Sequence, residues 1–314
     1  MVKRKRTAAV LACVVIPTLL LAACGGQLSG ATGGTKRKIG FAVSTLANPF
    51  FVSLRDGAQK AANSAGYDLL VADAEDDNAK QADQIGNFIT QKVDVLIVNP
   101  TDSDAVTPSV QKANAAKIPV IALDRSANGG SVTSFIASDN VSAGRMGAKQ
   151  LIKAVPQGAK VAMLIGVPGA SAARDRGQGF TEGLADKSVN TKGATLVAQQ
   201  VANFQRDQAL NVMQNILTAN PDLNGVFCQN DDMALGAVQA IKAKGLTGKV
   251  FVVGVDGIPD ARTAVRAGDI YADIAQQPSL MGRIGVETAQ RIINKQSVPA
   301  TRTVPVQVLT KENA

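Results

Sequence analysis

The chain has 314 residues, of which 46% are hydrophobic, and this is enough to build two compact domains. The formal net charge is +8, but the basic residues after Lys38 are scattered and form no cluster of the kind that nucleic acids require. Histidine is absent, which removes the commonest general base and most zinc sites. With no Walker-type loop and no Gly-x-Gly-x-x-Gly fingerprint, the sequence predicts neither an enzyme nor a cofactor or metal site.

The first 23 residues have the composition of an export signal. Four basic residues at positions 3–6 precede an almost uncharged apolar run at positions 8–23. Removal of residues 1–23 lowers the net charge to +4, because this segment holds four basic residues and no acidic ones. The run ends in Leu21-Ala22-Ala23-Cys24, which resembles the signal of bacterial lipoproteins. That resemblance implies cleavage after residue 23, a lipid on Cys24 and a membrane-tethered protein outside the cytoplasm.

Two alternatives remain for this segment. A transmembrane anchor needs roughly 20 apolar residues, and Pro17 interrupts a shorter run here. An ordinary signal peptide that happens to precede a cysteine is the stronger competitor. Residues 24–35 are mostly Gly, Ser, Thr and Ala, which predicts a flexible tether. Cys13 lies in the discarded segment, so Cys228 is left alone and no disulfide is expected.

After Lys38, short β-rich runs alternate with helical patterns. Strands that are apolar at nearly every residue suit a parallel sheet covered by helices on both faces. The predicted strands of the first set are residues 39–44, 68–72, 93–99 and 118–123. Those of the second set are residues 160–165, 195–200, 225–228 and 250–255. A last unit has a strand at 270–275, a helix at 281–294 and a strand at 304–309. The sequence therefore predicts an α/β protein with two doubly wound parallel-sheet lobes.

Planar polar or aromatic side chains follow strand after strand. In open parallel sheets, ligands bind beyond the carboxyl ends of the strands, so these side chains are the candidate site. They are Asn48, Phe50, Phe51, Asp124, Arg125, Arg176, Phe204, Asn230, Asp256 and Gln276. Carboxylates, guanidinium groups and amides hydrogen-bond adjacent sugar hydroxyls, and aromatic rings cover the C–H faces of a sugar. The set therefore indicates a monosaccharide site.

Each member of the set has a simpler interpretation when it is considered alone. Asn48 followed by Pro49 is typical of a helix start, and either phenylalanine could be a core residue. The Asp124-Arg125 pair could lie on a solvated surface, and Asp256-Gly257 could form a turn. Their recurrence at successive strand ends favours one shared ligand site over these separate interpretations.

The chain contains seven motifs, at residues 44–51, 99–105, 122–125, 137–140, 171–177, 229–236 and 253–257. Taken together and in this order, they resemble the family of periplasmic D-ribose-binding proteins. The similarity runs in register from about residue 38 to about residue 309, so it covers nearly all of the chain that follows the tether. The third residue of one motif, Asp232, stands where the family often has Glu.

The resemblance implies two Rossmann-like lobes that are joined by a three-segment hinge and close on one sugar. The crossings are expected near residues 138–140, 276–278 and 304–306. The implied first lobe is 36–138 with 277–305, and the second is 139–276 with 306–314. By motif position, the sugar contacts of the first lobe are Asn48, Phe50, Phe51, Asp124 and Arg125. Those of the second lobe are Arg176, Phe204, Asn230 and Asp256. Gln276 is placed at a hinge crossing.

The function implied by the resemblance is that of a solute-binding lipoprotein of a sugar ABC importer, with D-ribose as its ligand and a membrane permease as its partner. We expect a monomer that binds no nucleic acid, on the periplasmic or extracellular face of the cell membrane. The alternatives are a binder of allose, another pentose or a furanose signalling molecule, and a sensor that reports to a receptor. A sugar-responsive transcription factor conflicts with the export signal. An enzyme using Asp and Arg in the cleft is the remaining alternative.

Overall fold

A computed structural model describes residues 36–314, which form one compact unit. The predicted signal peptide, the tether and Cys24 lie outside these residues. Within the described range no helix combines the length and the apolar character needed to cross a membrane. The unit contains two six-stranded sheets, each covered by helices, so the two-lobed α/β fold predicted from the sequence is confirmed.

The first lobe contains most of the chain up to Ser138 and a returning segment. Its sheet has the order β11-β5-β4-β3-β1-β2, and all its pairings are parallel. Helix α9 packs against α1, so the first lobe is completed by chain that follows the second. The elements are β1 (Lys38–Val43), α1 (Pro49–Ala65), β2 (Asp68–Asp73), α2 (Asn78–Thr90), β3 (Val95–Val98), α3 (Thr107–Ala115), β4 (Val120–Leu123), β5 (Ser134–Ser138), α9 (Pro278–Ile293) and β11 (Thr301–Val304).

The second lobe repeats this plan. Its sheet has the order β12-β10-β9-β8-β6-β7, with parallel pairing except for β12, which runs antiparallel to β10. The elements are α4 (Asn140–Ala154), β6 (Lys160–Ile165), α5 (Ser171–Ala185), β7 (Thr195–Val201), α6 (Arg206–Ala219), β8 (Leu223–Cys228), α7 (Asp231–Ala243), β9 (Phe251–Asp256), α8 (Pro259–Ala267), β10 (Ala272–Ala275) and β12 (Gln307–Leu309).

The chain passes between the two sheets three times, as a hinge of three segments. The crossings connect Ser138 to Asn140, Ala275 to Pro278, and Val304 to Gln307. The three-segment hinge is therefore confirmed as part of the fold. The lobe boundaries given above, residue by residue, stay a prediction.

The sequence prediction was wrong at two places near the hinge. Residues 304–309 were expected to form one strand, but they contribute to two, and β11 and β12 lie in different sheets. Pro305 separates them, because proline lacks the N–H that a continued strand would need. Strand β5 was not predicted at all, since only three apolar residues occur in it.

The two lobes touch through hydrogen bonds between loops on either side of the cleft. The backbone N–H of Ser103 donates to the Gly169 carbonyl at 3.0 Å. The Ser126 N–H donates to Oγ of Ser171 at 2.9 Å, and the Ser171 N–H donates to Oγ of Ser103 at 3.3 Å. We call these three hydrogen bonds the interlobe latch. They show that the structure is closed over the space between the lobes.

Candidate functional site

All ten candidate side chains line one cavity between the lobes. The cavity has a volume of about 300 Å³, the lower end of the usual range for small-molecule sites. The first lobe contributes side chains that follow β1 and β4, and the second contributes side chains from α5 and from the ends of β7, β8, β9 and β10. The structure thus brings the whole set together, while the role of each residue as a ligand contact stays a prediction.

Asn48 begins the site in the first lobe. Its backbone is extended, and its Oδ1 accepts a 2.8 Å hydrogen bond from the Phe50 N–H, which caps α1. Pro49 occupies the first turn, where a missing N–H costs nothing. The cap turns the amide and the first turn of α1 toward the cavity. The interpretation of Asn48 as a helix cap and its interpretation as a site residue are therefore both supported by its position.

Asp124 and Arg125 directly follow β4 and lie almost completely out of solvent, with 3% and 4% of their surface exposed. Asp124 has a positive φ of 66°, and its N–H donates to the Ile136 carbonyl at 2.8 Å. Nη1 of Arg125 donates to the Pro100 carbonyl at 3.1 Å. The interpretation of this pair as a solvated surface dipeptide is wrong, because both side chains are buried at the cavity wall.

The Arg125 guanidinium lies between two aromatic rings from opposite lobes. Its central carbon is 5.1 Å from the centre of the Phe51 ring and 5.4 Å from that of Phe204. A cation over an aromatic face is attracted by the negative face of the ring, and the attraction is larger when both groups are out of water. Phe50 packs edge-on against Phe51, with 5.1 Å between ring centres. The phenylalanines therefore orient the guanidinium as well as closing the cavity.

In the second lobe, Arg176 is held by neighbours on three sides. Its Nε donates to Oδ1 of Asn140 at 2.8 Å, and its Nη1 donates to the Gln229 carbonyl at 2.5 Å. The same Nη1 is 3.5 Å from Oδ1 of Asp256. Asn140 begins α4 directly after the first hinge crossing, so the hinge and this cationic side chain are connected through one hydrogen bond.

Asn230 and Phe204 are joined within the second lobe. Asn230 caps α7 by accepting from the Met233 N–H at 3.0 Å, while its Nδ2 donates to the Phe204 carbonyl at 3.2 Å. Phe204 has a φ of 62°, in the left-handed region that a residue with a side chain rarely adopts. Because Asn230 binds the carbonyl of this strained residue, it helps to hold the Phe204 ring over the cleft.

Burial dominates the electrostatics of the cavity. It raises the pKa of Asp124 and raises the pKa of Asp256 to about 7, and it lowers the pKa of Arg125. The opposite charges of Arg125 on Asp124 and of Arg176 on Asp256 act against these shifts. The charged groups are therefore paired but poorly solvated. Hydrogen bonds from a bound ligand would offset part of the free-energy cost of removing these groups from water.

Three polar atoms at the cavity wall have no hydrogen-bond partner among residues 36–314. They are Oδ1 of Asp124, Nε of Arg125 and Oε1 of Gln276. A buried polar atom left without a partner costs about 1–3 kcal/mol. These two acceptors and one donor have almost no accessible surface, so a ligand hydroxyl, which both donates and accepts, would reach them only after a small movement of the cavity wall.

Sequence reasoning missed Asp76, which also lines the cavity. It follows β2, as the other candidates follow their strands, and its N–H donates to the Ser44 carbonyl at 2.8 Å. Burial raises the pKa of this carboxyl, and the Arg125 charge opposes the shift. The strand-end rule could have found Asp76, but it lies in the acidic run 75–77, which is more typical of a solvated turn. The other polar lining residues that were not predicted are Thr45, Asn203, Gln205, Arg206, Asp207 and Asp232.

Comparison with known proteins agrees with this geometry. Residues 39–297 match the family described as periplasmic binding protein domain. The chain belongs to the periplasmic binding protein family. It is 45% identical over 297 residues to the ribose import binding protein RbsB of Escherichia coli K12, covering 95% of this chain and 98% of that protein. The resemblance to ribose-binding proteins drawn from the sequence is therefore confirmed.

Two further relatives extend the comparison. The ribose import binding protein RbsB of Bacillus subtilis 168 is 40% identical over 305 residues, covering 95% of this chain and 97% of that protein. The crystal structure of a solute-binding protein from Actinobacillus succinogenes with bound D-allose has a TM-score of 0.81 and 38% identity, and it covers 88% of this chain and 99% of that one. Members of this family are exported substrate-binding proteins of transport systems rather than enzymes.

Proposed function

We propose that this protein binds D-ribose, or a closely related monosaccharide, in the cavity between its lobes and delivers it to an ABC permease. The observation that carries the proposal is the convergence of buried charged side chains from both lobes on one cavity of about 300 Å³. A monosaccharide supplies a donor and an acceptor at every hydroxyl, so one small ligand can hydrogen-bond carboxylates and guanidinium groups of both lobes. The ribose-binding relatives support the choice of sugar.

The mechanism we propose is clamp closure. Sugar docks on one lobe, the other lobe completes its hydrogen bonds, and water leaves the cavity. Both lobes contribute charged side chains, Asp124 and Arg125 from one and Arg176 and Asp256 from the other. Epimers are discriminated because one misplaced hydroxyl leaves a buried partner unsatisfied, at a cost of about 1–3 kcal/mol.

We propose further that the mature chain is held at the outer face of the cell membrane by a lipid on Cys24. The motif Leu21-Ala22-Ala23-Cys24 supports this placement. Growth of an expressing culture with a labelled fatty acid should label the wild-type protein. The Cys24→Ala variant should remain unlabelled and appear in the soluble fraction. Labelling of the variant would show that the lipid is attached to a residue other than Cys24 and would refute this proposal.

The decisive test is isothermal titration of residues 36–314 with D-ribose, followed by D-allose, D-xylose, D-arabinose and D-galactose. Tight one-to-one binding of D-ribose, with weak or absent responses to the others, supports the proposal. Tighter binding of D-allose would favour the alternative raised by the allose-bound relative. No binding of any sugar by a folded sample would refute a monosaccharide site.

A further inference from the structure

Asp231 and Asp273 lie in the core of the second lobe, and neither side chain has any exposed surface, at 0% each. Asp231 is the first residue of α7, and Asp273 lies on β10 beside Gly254 of β9. A Cβ atom placed on Gly254 would be 2.6 Å from Oδ1 of Asp231 and 3.4 Å from Oδ2 of Asp273. The two carboxyl groups therefore border the same glycine and are within hydrogen-bonding reach of each other.

The pair has almost no other hydrogen bonds. Oδ2 of Asp231 accepts from the Ile258 N–H at 2.8 Å. The other Asp231 oxygen and both Asp273 oxygens have no partner elsewhere in the described part of the chain. Ionised carboxylates are acceptors only, so two of them cannot hydrogen-bond unless one carries a proton. Two unprotonated carboxylates in contact and out of water would repel strongly, without solvent to screen them.

The charged and titratable groups around the pair do not neutralise it. Arg262 on α8 and Arg176 on α5 are the cations that act on Asp273. Arg262 donates its Nε to the Gly257 carbonyl at 2.9 Å, and Arg176 is engaged by Asn140 and Gln229. Asp256 on β9 adds a further negative charge to both members. Cys228 on β8 stays a neutral thiol, because burial raises its pKa well above the usual value.

We propose that Asp231 and Asp273 form a proton-binding site that holds one shared proton, and that loss of this proton in alkaline solution weakens binding in the cavity above. Burial raises the pKa of both carboxyls, and the negative charge of Asp273 raises that of Asp231 further. The second half of the proposal rests on the proposed function. The first half concerns the folded protein alone and can be tested without a sugar.

The position of the pair explains why its proton should affect the cavity. Asp231 directly follows the cavity residue Asn230, and its bond to Ile258 holds the loop that begins at Asp256. Asp273 lies on the strand that leads to Gln276. Repulsion between the two carboxylates would therefore displace the ends of three neighbouring elements that each present one side chain to the cavity.

The composition of the chain makes this site unusually easy to detect. There is no histidine in the sequence. Between about pH 5 and about pH 9, titration is therefore left mainly to carboxyl groups with raised pKa values, to the chain terminus and, in the unfolded state, to the thiol of Cys228, which wild type and the variants share. A proton held by the folded state and absent from the unfolded state raises the unfolding constant about tenfold for each pH unit.

The test is urea unfolding of residues 36–314 without sugar, at intervals from about pH 7.5 to about pH 9.5, for wild type and Asp273→Asn. Asparagine keeps a donor toward Asp231 and removes one charge and the shared proton. We expect the unfolding constant of wild type to rise with pH more steeply than that of Asp273→Asn, by up to about tenfold per pH unit for as long as the folded pair keeps its proton. Equal slopes would overturn the proton site. The control is Asp269→Asn, a partly buried acid paired with Lys242 far from the Asp231–Asp273 pair, which should follow wild type.

A second variant, a calcium test and an infrared measurement keep the proton site open to refutation. If Asp273→Asn fails to fold, Asp231→Asn replaces it, since an asparagine oxygen can still accept from Ile258. If added Ca²⁺ removes the extra pH slope of wild type but leaves the variant unchanged, the pair holds a cation instead of a proton. An infrared band of a protonated carboxylic acid at neutral pH should be present in wild type and weaker in the variant.

The final arm measures D-ribose affinity over the same pH interval. We expect the affinity of wild type to fall only above the pH at which its extra unfolding slope disappears, because the folded pair loses its proton there, and that of Asp273→Asn to stay constant. If wild-type affinity is unchanged after the extra slope has disappeared, the proton has no effect on the cavity and the second half of the proposal is wrong. If neither protein binds ribose but the slopes differ, the proposed ligand fails and the proton site stands.

Discussion

Nε2 of Gln276 donates a 2.8 Å hydrogen bond to Oδ1 of Asp256. Gln276 is the first residue after β10, at the second hinge crossing, and Asp256 is the last residue of β9. One oxygen of the carboxylate is therefore occupied by the hinge, and the other is left for a ligand. Asp256 also has a φ of 135°, which is a strained backbone conformation for a residue with a side chain.

The first prediction concerns pH and sugar binding. Burial raises the pKa of Asp256 to about 7. If the carboxylate accepts from a sugar hydroxyl, protonation removes that acceptor, and affinity should fall by up to about tenfold per unit as pH drops below about 7. Isothermal titration between about pH 5 and about pH 8 checks this. Acid unfolding would not cause this loss of affinity. Protonation of a carboxyl whose pKa is raised on folding stabilises the folded protein as pH falls toward about 4. Constant affinity across the range would exclude Asp256 as an ionised contact.

The second prediction concerns Arg125, whose guanidinium lies between Phe51 and Phe204. Lysine keeps the charge but loses the planar fork and the stacking. Arg125→Lys should weaken D-ribose binding about 100-fold, equivalent to about 3 kcal/mol. Arg283→Lys, at an exposed pair with Glu287, is the matched control and should bind as wild type does. Near-normal affinity of Arg125→Lys would show that only charge matters at this position.

The third prediction concerns Asp76, which the structure adds to the site. Its carboxyl lines the cavity and interacts with Arg125. Asp76→Ala should lower sugar affinity about tenfold while leaving the unfolding midpoint nearly unchanged, since one largely exposed hydrogen-bonding group is lost. Asp83→Ala on the exposed face of α2 serves as control. If both variants bind equally well, Asp76 borders the cavity without touching the ligand.

The fourth prediction concerns the interlobe latch. Ser171→Ala removes the side-chain acceptor of the Ser126 N–H. Neither residue lines the cavity, so any effect on binding must arise from the closed arrangement of the lobes. Loss of about 1 kcal/mol of closure energy corresponds to about fivefold weaker sugar binding. Titration of Ser171→Ala beside the exposed Ser64→Ala measures it, and small-angle scattering without sugar should show a more open average shape for Ser171→Ala alone. Identical curves would mean that the latch does not hold the lobes together.

The fifth prediction concerns helix packing in the first lobe. A Cβ on Gly282 of α9 would be 2.0 Å from the Leu54 carbonyl oxygen of α1. Gly282→Ala must therefore separate the two helices, and we expect a loss of about 1–3 kcal/mol of stability. Gly86 in α2 has no atom within 4 Å of an added Cβ, so Gly86→Ala should add about 0.5–1 kcal/mol. Urea unfolding of both variants checks this. Equal destabilisation by both would contradict the packing argument.

Much of the fold could be predicted from the sequence, because strands that are buried on both faces are apolar at nearly every residue. Strand β6 was predicted with the bounds that the structure has. Predicted strands that began early, such as 93–99, include buried residues of the preceding loop, and burial alone cannot separate loop from strand. The split of 304–309 depends on which sheet offers a free edge, which is a tertiary property that no local pattern records.

The candidate site could be predicted because polar side chains at successive strand ends are brought together by parallel sheets. What the residues could not show was how their functional groups are divided between ligand and protein. Asn48 and Asn230 each use an oxygen to cap a helix, and Gln276 uses its amide nitrogen on Asp256. The Asp231–Asp273 pair joins residues far apart in the chain, and Asp231 alone is indistinguishable from a helix-capping acid.

The last two strands have a consequence for how the protein is made. β11 completes the first sheet and β12 completes the second, so both sheets gain an outer strand only from residues 301–309. Helix α9, which covers α1, also comes late. A growing chain therefore cannot finish its first lobe before residue 304 has been made, after most of the second lobe, although domains that are continuous in sequence usually fold in order as they emerge. Completion of both lobes therefore depends on the same short segment, residues 301–309.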